Sequence, residues 1–138
     1  MVIRNKSANK ESWIKYVFRE DYANKILQYA REQYGDEPEY LWAQYPEYAV
    51  LRRKDTQKWY ALLMNIPKNR LGLDGEETVE VVDLRFDVDK LPSKIDNKSI
   101  FPGYHMNKKH WITVLLDGSV QLGEILGYLD KSFVLAKK

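Results

Sequence analysis

The sequence predicts an α+β fold, a two-layer sandwich in which an antiparallel sheet carries the N- and C-terminal helices on one face. Apolar residues recur at helical spacing near both ends of the chain, and strand-like alternation occupies the middle. Short polar turns separate the strand segments. This order of elements, with a single apolar stripe on each helix, is typical of a sheet whose one face is covered by both terminal helices.

Length and composition indicate one domain. The chain has 138 residues, 44% hydrophobic and 13% aromatic, which is enough to bury a core. It has no cysteine, which excludes disulfides and thiolate chemistry and fits a reducing compartment. No signal-peptide core is present, and no apolar run approaches the roughly 20 residues that cross a bilayer. We therefore expect a soluble, cytoplasmic protein without membrane contact.

The first 35 residues carry two helical patterns. Their apolar positions are Trp13, Tyr16, Val17 and Phe18, followed by Ala23, Leu27, Ala30 and Tyr34. Gly35 is suited to end the second pattern in the left-handed conformation. The sequence does not distinguish one bent helix from two. We assign residues 1–20 to an N-terminal extension of helical character and residues 21–138 to the domain proper.

Three strand signals follow an aromatic connector between Pro38 and Pro46. Residues 49–53 and 59–66 predict two strands joined by a short polar turn, hence a hairpin. Alternation in the longer strand predicts Tyr60, Leu62, Met64 and Ile66 on one side, and Trp59, Ala61 and Leu63 on the other. The strand at 78–86 shows a one-residue slip, which indicates a bulge or burial on both sides.

A fourth strand and a terminal helix complete the chain. Residues 87–98 can hold one or two helical turns broken by Pro92, and 101–103 are interpreted as a turn. The β-branched run after His110 predicts a buried strand in which Trp111 is mainly structural. Ser119 is the expected N-cap of the last helix, and Gly123 and Gly127 are expected to permit close packing. The apolar face of that helix is Leu122, Ile125, Leu126, Leu129 and Phe133.

The sequence gives little support for a metal site or a catalytic site. His105 and His110 fall on opposite faces of a strand, with lysines between them, so we interpret them as a solvated loop histidine and a histidine at the entry of a strand. Asp83, Asp87 and Asp89 lack the ligand pattern of a calcium loop and are interpreted as a solvated acidic edge, with iron binding along this ridge as the alternative. Without a nucleophile motif or a phosphate-binding glycine loop, the sequence predicts no enzyme, no cofactor and no metal.

Basic loops are the remaining signal, although the net charge is only +2, from 22 basic and 20 acidic side chains. Two cationic loops on adjacent connections can straddle a phosphate backbone, and Trp59 and Trp111 can add base stacking. The candidate DNA-binding residues are Arg52, Arg53, Lys54, Lys58, Lys68, Arg70, His105, Lys108 and Lys109. The alternative is that these loops are charged for solubility and that the tryptophans pack the core.

Five segments resemble the MmcQ/YjbR family. They are residues 38–42 (PEYLW), 48–52 (YAVLR), 58–61 (KWYA), 71–73 (LGL) and, most specifically, 103–114 (GYHMNKKHWITV). The match covers residues 22–135 and leaves residues 1–20 outside. The resemblance implies a CyaY-like (frataxin-like) fold. It also implies DNA binding through two loops that act as wings, which by position are 52–58 and 67–77. It implies no catalytic residue.

The leading hypothesis is therefore a non-enzymatic protein that binds DNA weakly and without sequence preference, through phosphates. The alternative is a protein-interaction or regulatory module whose aromatic surface meets a protein partner, with no nucleic-acid role. One continuous basic face joining segments 52–58, 68–70 and 105–110 would favour nucleic acid. Scattered charges would favour the interaction module.

Overall fold

The computed structural model describes the backbone of residues 10–138 and the side chains of residues 22–138. Its elements are α1 (Lys10–Tyr34), β1 (Ala49–Arg52), β2 (Trp59–Pro67), β3 (Thr78–Arg85), α2 (Leu91–Lys94), β4 (Ile100–Pro102), β5 (Trp111–Leu115) and α3 (Leu122–Leu135), with a 3-10 turn at Lys68–Leu71. The two helical patterns near the N-terminus form one helix. Residues 1–9 and the predicted apolar side chains from Trp13 to Phe18 lie outside the described part.

The five strands form one antiparallel sheet in the order β1-β2-β3-β5-β4. Four strands correspond to the predicted ones. The fifth, β4, was predicted as a turn, but Ile100 pairs with Val114 and Phe101 with Thr113. A strand of three residues is too short to carry a periodic signal, and only its partner β5 shows that it is a strand.

Both long helices cover the same face of the sheet, as predicted. Ile26 and Ala30 of α1 and Ile125 and Leu129 of α3 are buried in one core with the inward side chains of the strands. The hydroxyl groups of Tyr29 and Tyr34 donate to the Asp130 carboxylate and so join α1 to α3. The helix α1 ends as expected at Gly35, whose φ is 71° and whose N–H donates to the Arg31 carbonyl at 3.0 Å.

A bulge at the start of β2 reverses the predicted direction of Tyr60. Ala61 pairs with Leu51 and Trp59 with Arg52, so Tyr60 is an extra residue opposite no partner. The Tyr60 side chain therefore enters the helix-covered core, where its hydroxyl donates to Asp36 at 2.7 Å. Trp59 packs against the opposite face.

The register of β3 continues without a shift across β2, so the slip in its sequence pattern reflects burial on both sides. Val81 belongs to the apolar cluster of one face. Val82 and Leu84 belong to the core of the other. A strand at the centre of a sheet that is covered on both faces has no solvated side on which to place polar residues.

Two details predicted for the last helix are wrong. Gln121 is the residue that precedes α3, whereas the Ser119 hydroxyl donates to Asp117 at 2.6 Å within the preceding turn. Among the described residues, a Cβ added at Gly123 or Gly127 would meet no atom within 4 Å, so neither glycine is needed there for close packing. The predicted apolar face of α3 is confirmed, since its five residues pack in or against the core.

Candidate nucleic-acid interface

Loops, not helices, cover the second face of the sheet, which we call the loop-covered face. Its apolar floor includes Leu62, Met64 and Val81, all buried. Side chains from three segments pack on this floor: the connector 38–48, the turn 68–73 and the loop 103–110. The aromatic connector and two of the basic segments therefore meet on one side of the molecule.

An open cleft of about 420 Å³ lies between the connector and the loop 103–110. We call it the aromatic cleft; it is lined by Trp42, Tyr45, Tyr48, Trp59, Leu62, Met64, His105 and Met106. The rings of Tyr45 and Tyr48 are stacked, with centroids 4.7 Å apart and planes 19° apart. Trp42 and Trp59 meet edge to face at 5.9 Å. The bulge at Tyr60 is what places Trp59 on this face.

The loop 103–110 is held in place by hydrogen bonds to β5 and by one within the loop. The Gly103 N–H donates to the Trp111 carbonyl at 3.0 Å, the Tyr104 N–H donates to Thr113 Oγ1 at 2.8 Å, and Lys108 Nζ donates to the Gly103 carbonyl at 2.8 Å. A Cβ on Gly103 would lie 2.7 Å from the Trp111 Cβ and 3.0 Å from its carbonyl oxygen. Glycine is therefore required for this close approach.

Trp111 is 5% exposed, with the Arg85 guanidinium 4.8 Å above its ring. Such burial leaves it closed to a ligand and fits the structural role predicted for it. Of the two tryptophans considered for stacking, only Trp59 lines the aromatic cleft.

The prediction that Asp83 belongs to a solvated acidic edge is wrong, because this residue is 0% exposed. Thr113 Oγ1 donates to its Oδ1 at 2.5 Å, and its Oδ2 has no hydrogen-bond partner among the described residues. Burial raises the pKa of this carboxyl to about 8, against the opposing effects of the Thr113 hydroxyl and the Lys108 ammonium. Asp87 and Asp89 are exposed, as predicted.

Most cations of the first predicted wing bind other parts of the protein. Arg52 makes a paired contact with Glu39 at 2.9 and 3.0 Å. Arg53 binds Asp55, donates to the Phe133 carbonyl at 2.8 Å and lies 4.0 Å over the Phe133 ring. Lys54 Nζ donates to the Gly35 carbonyl at 2.6 Å. These three side chains hold the hairpin to the connector and the helix ends, whereas Lys58 is exposed.

The second predicted wing begins at the far end of β2. Because Trp59 and Pro67 stand at the two ends of β2, eight steps of about 3.3 Å apart, the two wings start roughly 26 Å apart. Lys68 pairs with Glu77 at 3.2 Å. The turn then folds back over the loop-covered face, where Arg70 Nη1 donates to the Tyr104 hydroxyl at 3.3 Å.

The structure thus joins segments 68–70 and 105–110, and it turns Arg52, Arg53 and Lys54 towards other contacts. The exposed predicted site residues of these two segments are Arg70, His105, Lys108 and Lys109, and Lys58 is exposed next to Trp59. The sequence analysis did not assign Trp42, Tyr45, Tyr48 and Met106 to the site. Trp42 and Tyr45 belong to the aromatic connector between Pro38 and Pro46, and Tyr48 and Met106 fall within the family motifs 48–52 and 103–114; these were the signals that could have found them.

Neither a metal site nor a membrane span is found in the described part of the chain. No group of three or more of its His, Asp and Glu side chains is arranged to hold a metal ion. None of its helices is both long and apolar enough to cross a bilayer.

The fold defines a class of small α+β proteins with helices on one face of an antiparallel sheet and loops on the other, and in this protein the loops form the aromatic cleft. A model of the YjbR family matches residues 31–135. The chain belongs to the YjbR family, as its motifs predicted.

Relatives agree with this assignment. The uncharacterized protein YyaQ of Bacillus subtilis (strain 168) is 39% identical over 112 residues, which cover 81% of this chain and 95% of that protein. A crystal structure of a Pseudomonas syringae protein matches with a TM-score of 0.78 and 42% identity, covering 82% of this chain and 97% of that one. A Deinococcus radiodurans protein with a DUF419 domain matches with a TM-score of 0.63 and 25% identity, covering 88% and 80%.

Proposed function

We propose that this protein is a non-catalytic, cytoplasmic protein that binds nucleic acid through phosphate contacts made by the exposed cations of the loop-covered face. The observation that carries the proposal is the convergence of Arg70 with the loop 103–110, whose Tyr104 it contacts. Lys108 and Lys109 belong to the same loop, and Lys58 directly precedes Trp59 of the aromatic cleft. Lysine and arginine side chains in such an array displace the counterions of a phosphate backbone.

Binding through phosphates is expected to be weak and indifferent to sequence. Phosphate contacts position a protein on a duplex but do not read its bases. With a net charge of +2, the protein has only a local cationic surface. A dissociation constant of about 10⁻⁴ to 10⁻⁶ M at physiological salt is typical of such non-specific binding.

The test is a duplex titration at several salt concentrations with the wild type and a variant carrying Lys58→Gln, Arg70→Gln, Lys108→Gln and Lys109→Gln. The slope of log affinity against log salt should fall by about 0.9 for each phosphate that the variant can no longer neutralise. Arg52 and Arg53 stay in place because they hold the hairpin to the connector and to the end of α3, and their removal would confuse a weaker affinity for DNA with damage to the fold. Arg70 and Lys108 also make internal contacts, so the variant is used only if its urea unfolding midpoint equals that of the wild type.

A second variant provides the matched control. Lys90→Gln, Lys131→Gln, Lys137→Gln and Lys138→Gln remove the same charge from exposed positions beside or within α2 and α3. This variant should keep the wild-type slope. Absence of duplex binding at low salt, or an equal decrease of slope in both variants, would contradict the proposal.

A protein partner is the second candidate function, and one observation favours it. Tyr40 is 56% exposed, Leu41 45% and Tyr45 52%, all on the connector. Exposed apolar side chains grouped on one segment are typical of docking surfaces. This function becomes the preferred one if the duplex titration shows no binding at low salt.

A further inference from the structure

The aromatic cleft has the composition of a site for a flat, unsaturated ring. Its volume of about 420 Å³ lies within the usual range for ligand sites, about 300–1,000 Å³. None of the described side chains that line it is acidic, and two methionines add polarizable surface. Tyr45 presents an open ring, because it is 52% exposed while it stacks on Tyr48.

The Arg70 cation lies near the margin of the aromatic cleft, so the ring that enters should belong to an anion. The Arg70 guanidinium donates to the Tyr104 hydroxyl at 3.3 Å. His105 lines the cleft, and its ring lies 4.0 Å from that of Tyr104. The carboxylates of the connector have partners, since Glu39 binds Arg52 and Glu47 accepts from Asn65 Nδ2 at 2.7 Å.

We propose that the aromatic cleft stacks the unpaired bases of single-stranded nucleic acid, so that a single strand binds more tightly than a duplex of equal charge. This inference rests on the proposed function and names its ligand class. Bases in a duplex are stacked on one another and present only their edges, so they cannot enter the cleft. An unpaired base offers both faces to aromatic side chains while its phosphate reaches the neighbouring cations.

The experiment compares three ligands by fluorescence anisotropy at one salt concentration. They are an oligothymidylate of about twelve nucleotides, an abasic oligomer of the same length, and a duplex. The abasic oligomer carries the same phosphates without bases. We expect the oligothymidylate to bind about five- to 150-fold more tightly than the abasic oligomer, because stacking contributes at this level for each base.

Substitution at Tyr45 locates the effect. Tyr45→Ala, and Tyr45→Leu as a variant that keeps apolar bulk, should each reduce oligothymidylate affinity about fivefold or more. Both should leave abasic and duplex binding unchanged. Tyr40→Ala is the matched control, because Tyr40 is similarly exposed on the same connector but does not line the cleft.

Each failure would have its own pattern. Equal binding of the oligothymidylate and the abasic oligomer, unaffected by Tyr45→Ala, would overturn the stacking site. If duplex binding still depended on Lys58, Arg70, Lys108 and Lys109, the proposed function would stand. Absence of binding by all three ligands at low salt would overturn both.

Discussion

At the scale of single residues, Asp83 opposes the stability of the sheet that contains it. Its backbone pairs with Leu62 on one side and Thr113 on the other, and its side chain is fully buried. One carboxyl oxygen accepts a hydrogen bond from the Thr113 hydroxyl, and the other has no hydrogen-bond partner among the described residues. A buried carboxylate that loses its water without full compensation favours the neutral acid, which is why its pKa rises to about 8.

The first prediction concerns the pH dependence of unfolding. An unfolded aspartate has a pKa near ~3.9. Because the pKa of Asp83 in the folded protein is about 8, the folded state binds the extra proton between these values. Its contribution to the free energy of unfolding is therefore greatest below pH ~4 and falls by at most about 1.4 kcal/mol per pH unit up to pH ~8. Asp83→Asn should remove this decline, as urea unfolding at pH 5 and pH 8 would measure.

Asp96 titrates outside that window, so it does not obscure the result. Three backbone N–H groups lower its pKa to about 2, so its stabilising contribution is lost only as the pH falls below ~4. Asp89→Asn, at an exposed position, controls for the removal of one carboxylate. A decline of equal size in wild type and Asp83→Asn would show that Asp83 is not responsible.

At the scale of elements, two glycines differ in whether the structure has room for a side chain. Gly127 lies inside α3 with open space where a Cβ would stand, so it adds flexibility without aiding packing. Gly103 lies where the loop 103–110 crosses β5, and there a Cβ would collide with Trp111. The same substitution should therefore have opposite signs at the two sites.

The second prediction pairs these substitutions. Gly127→Ala should increase the free energy of unfolding by about 1 kcal/mol, because alanine loses less conformational entropy in a helix. Gly103→Ala should decrease it by about 1–3 kcal/mol, because a backbone atom must move to admit the methyl group. Denaturant midpoints of the two variants give both values. A stabilised Gly103→Ala protein would mean that the loop is not held against Trp111.

At the scale of the whole molecule, the two faces of the sheet have different layers. The helix-covered face holds the larger core, and the loop-covered face holds a second apolar cluster beneath the aromatic cleft. Arg52 and Arg53 join the layers, because the first binds the connector and the second binds the end of α3. The aromatic cleft and α3 lie on opposite faces of the sheet, so a ligand of the cleft should not contact the outer surface of α3.

The third prediction follows from that separation. Addition of oligothymidylate should shift the amide NMR signals of residues 42–48, 58–59 and 103–110, because these segments border the aromatic cleft. Signals from the exposed side of α3 should not change. Repeating the titration at high salt should abolish the shifts, since phosphate contacts are screened. Shifts centred on α3 would place the binding surface on the wrong face.

Local sequence pattern was sufficient to predict the fold class, the order of the main elements and the placement of both helices on one face. These features follow from apolar periodicity, which is visible in residues such as Leu122, Ile125 and Leu129 of α3. The family motifs, in particular residues 103–114, identified the family. Burial of Trp111 could likewise be predicted, because it begins an apolar strand.

The direction of Tyr60 and Trp59, the burial of Asp83 and the internal contacts of Arg52 and Arg53 depend instead on tertiary structure. Each depends on a part of the protein that is distant in the chain. The bulge depends on the register of β1 against β2, the burial of Asp83 depends on the coverage of both sheet faces, and the contact of Arg53 depends on the end of α3. Local pattern reports the period of a segment but not what stands opposite it. The aromatic cleft therefore appears only when connector, strand and loop are brought together.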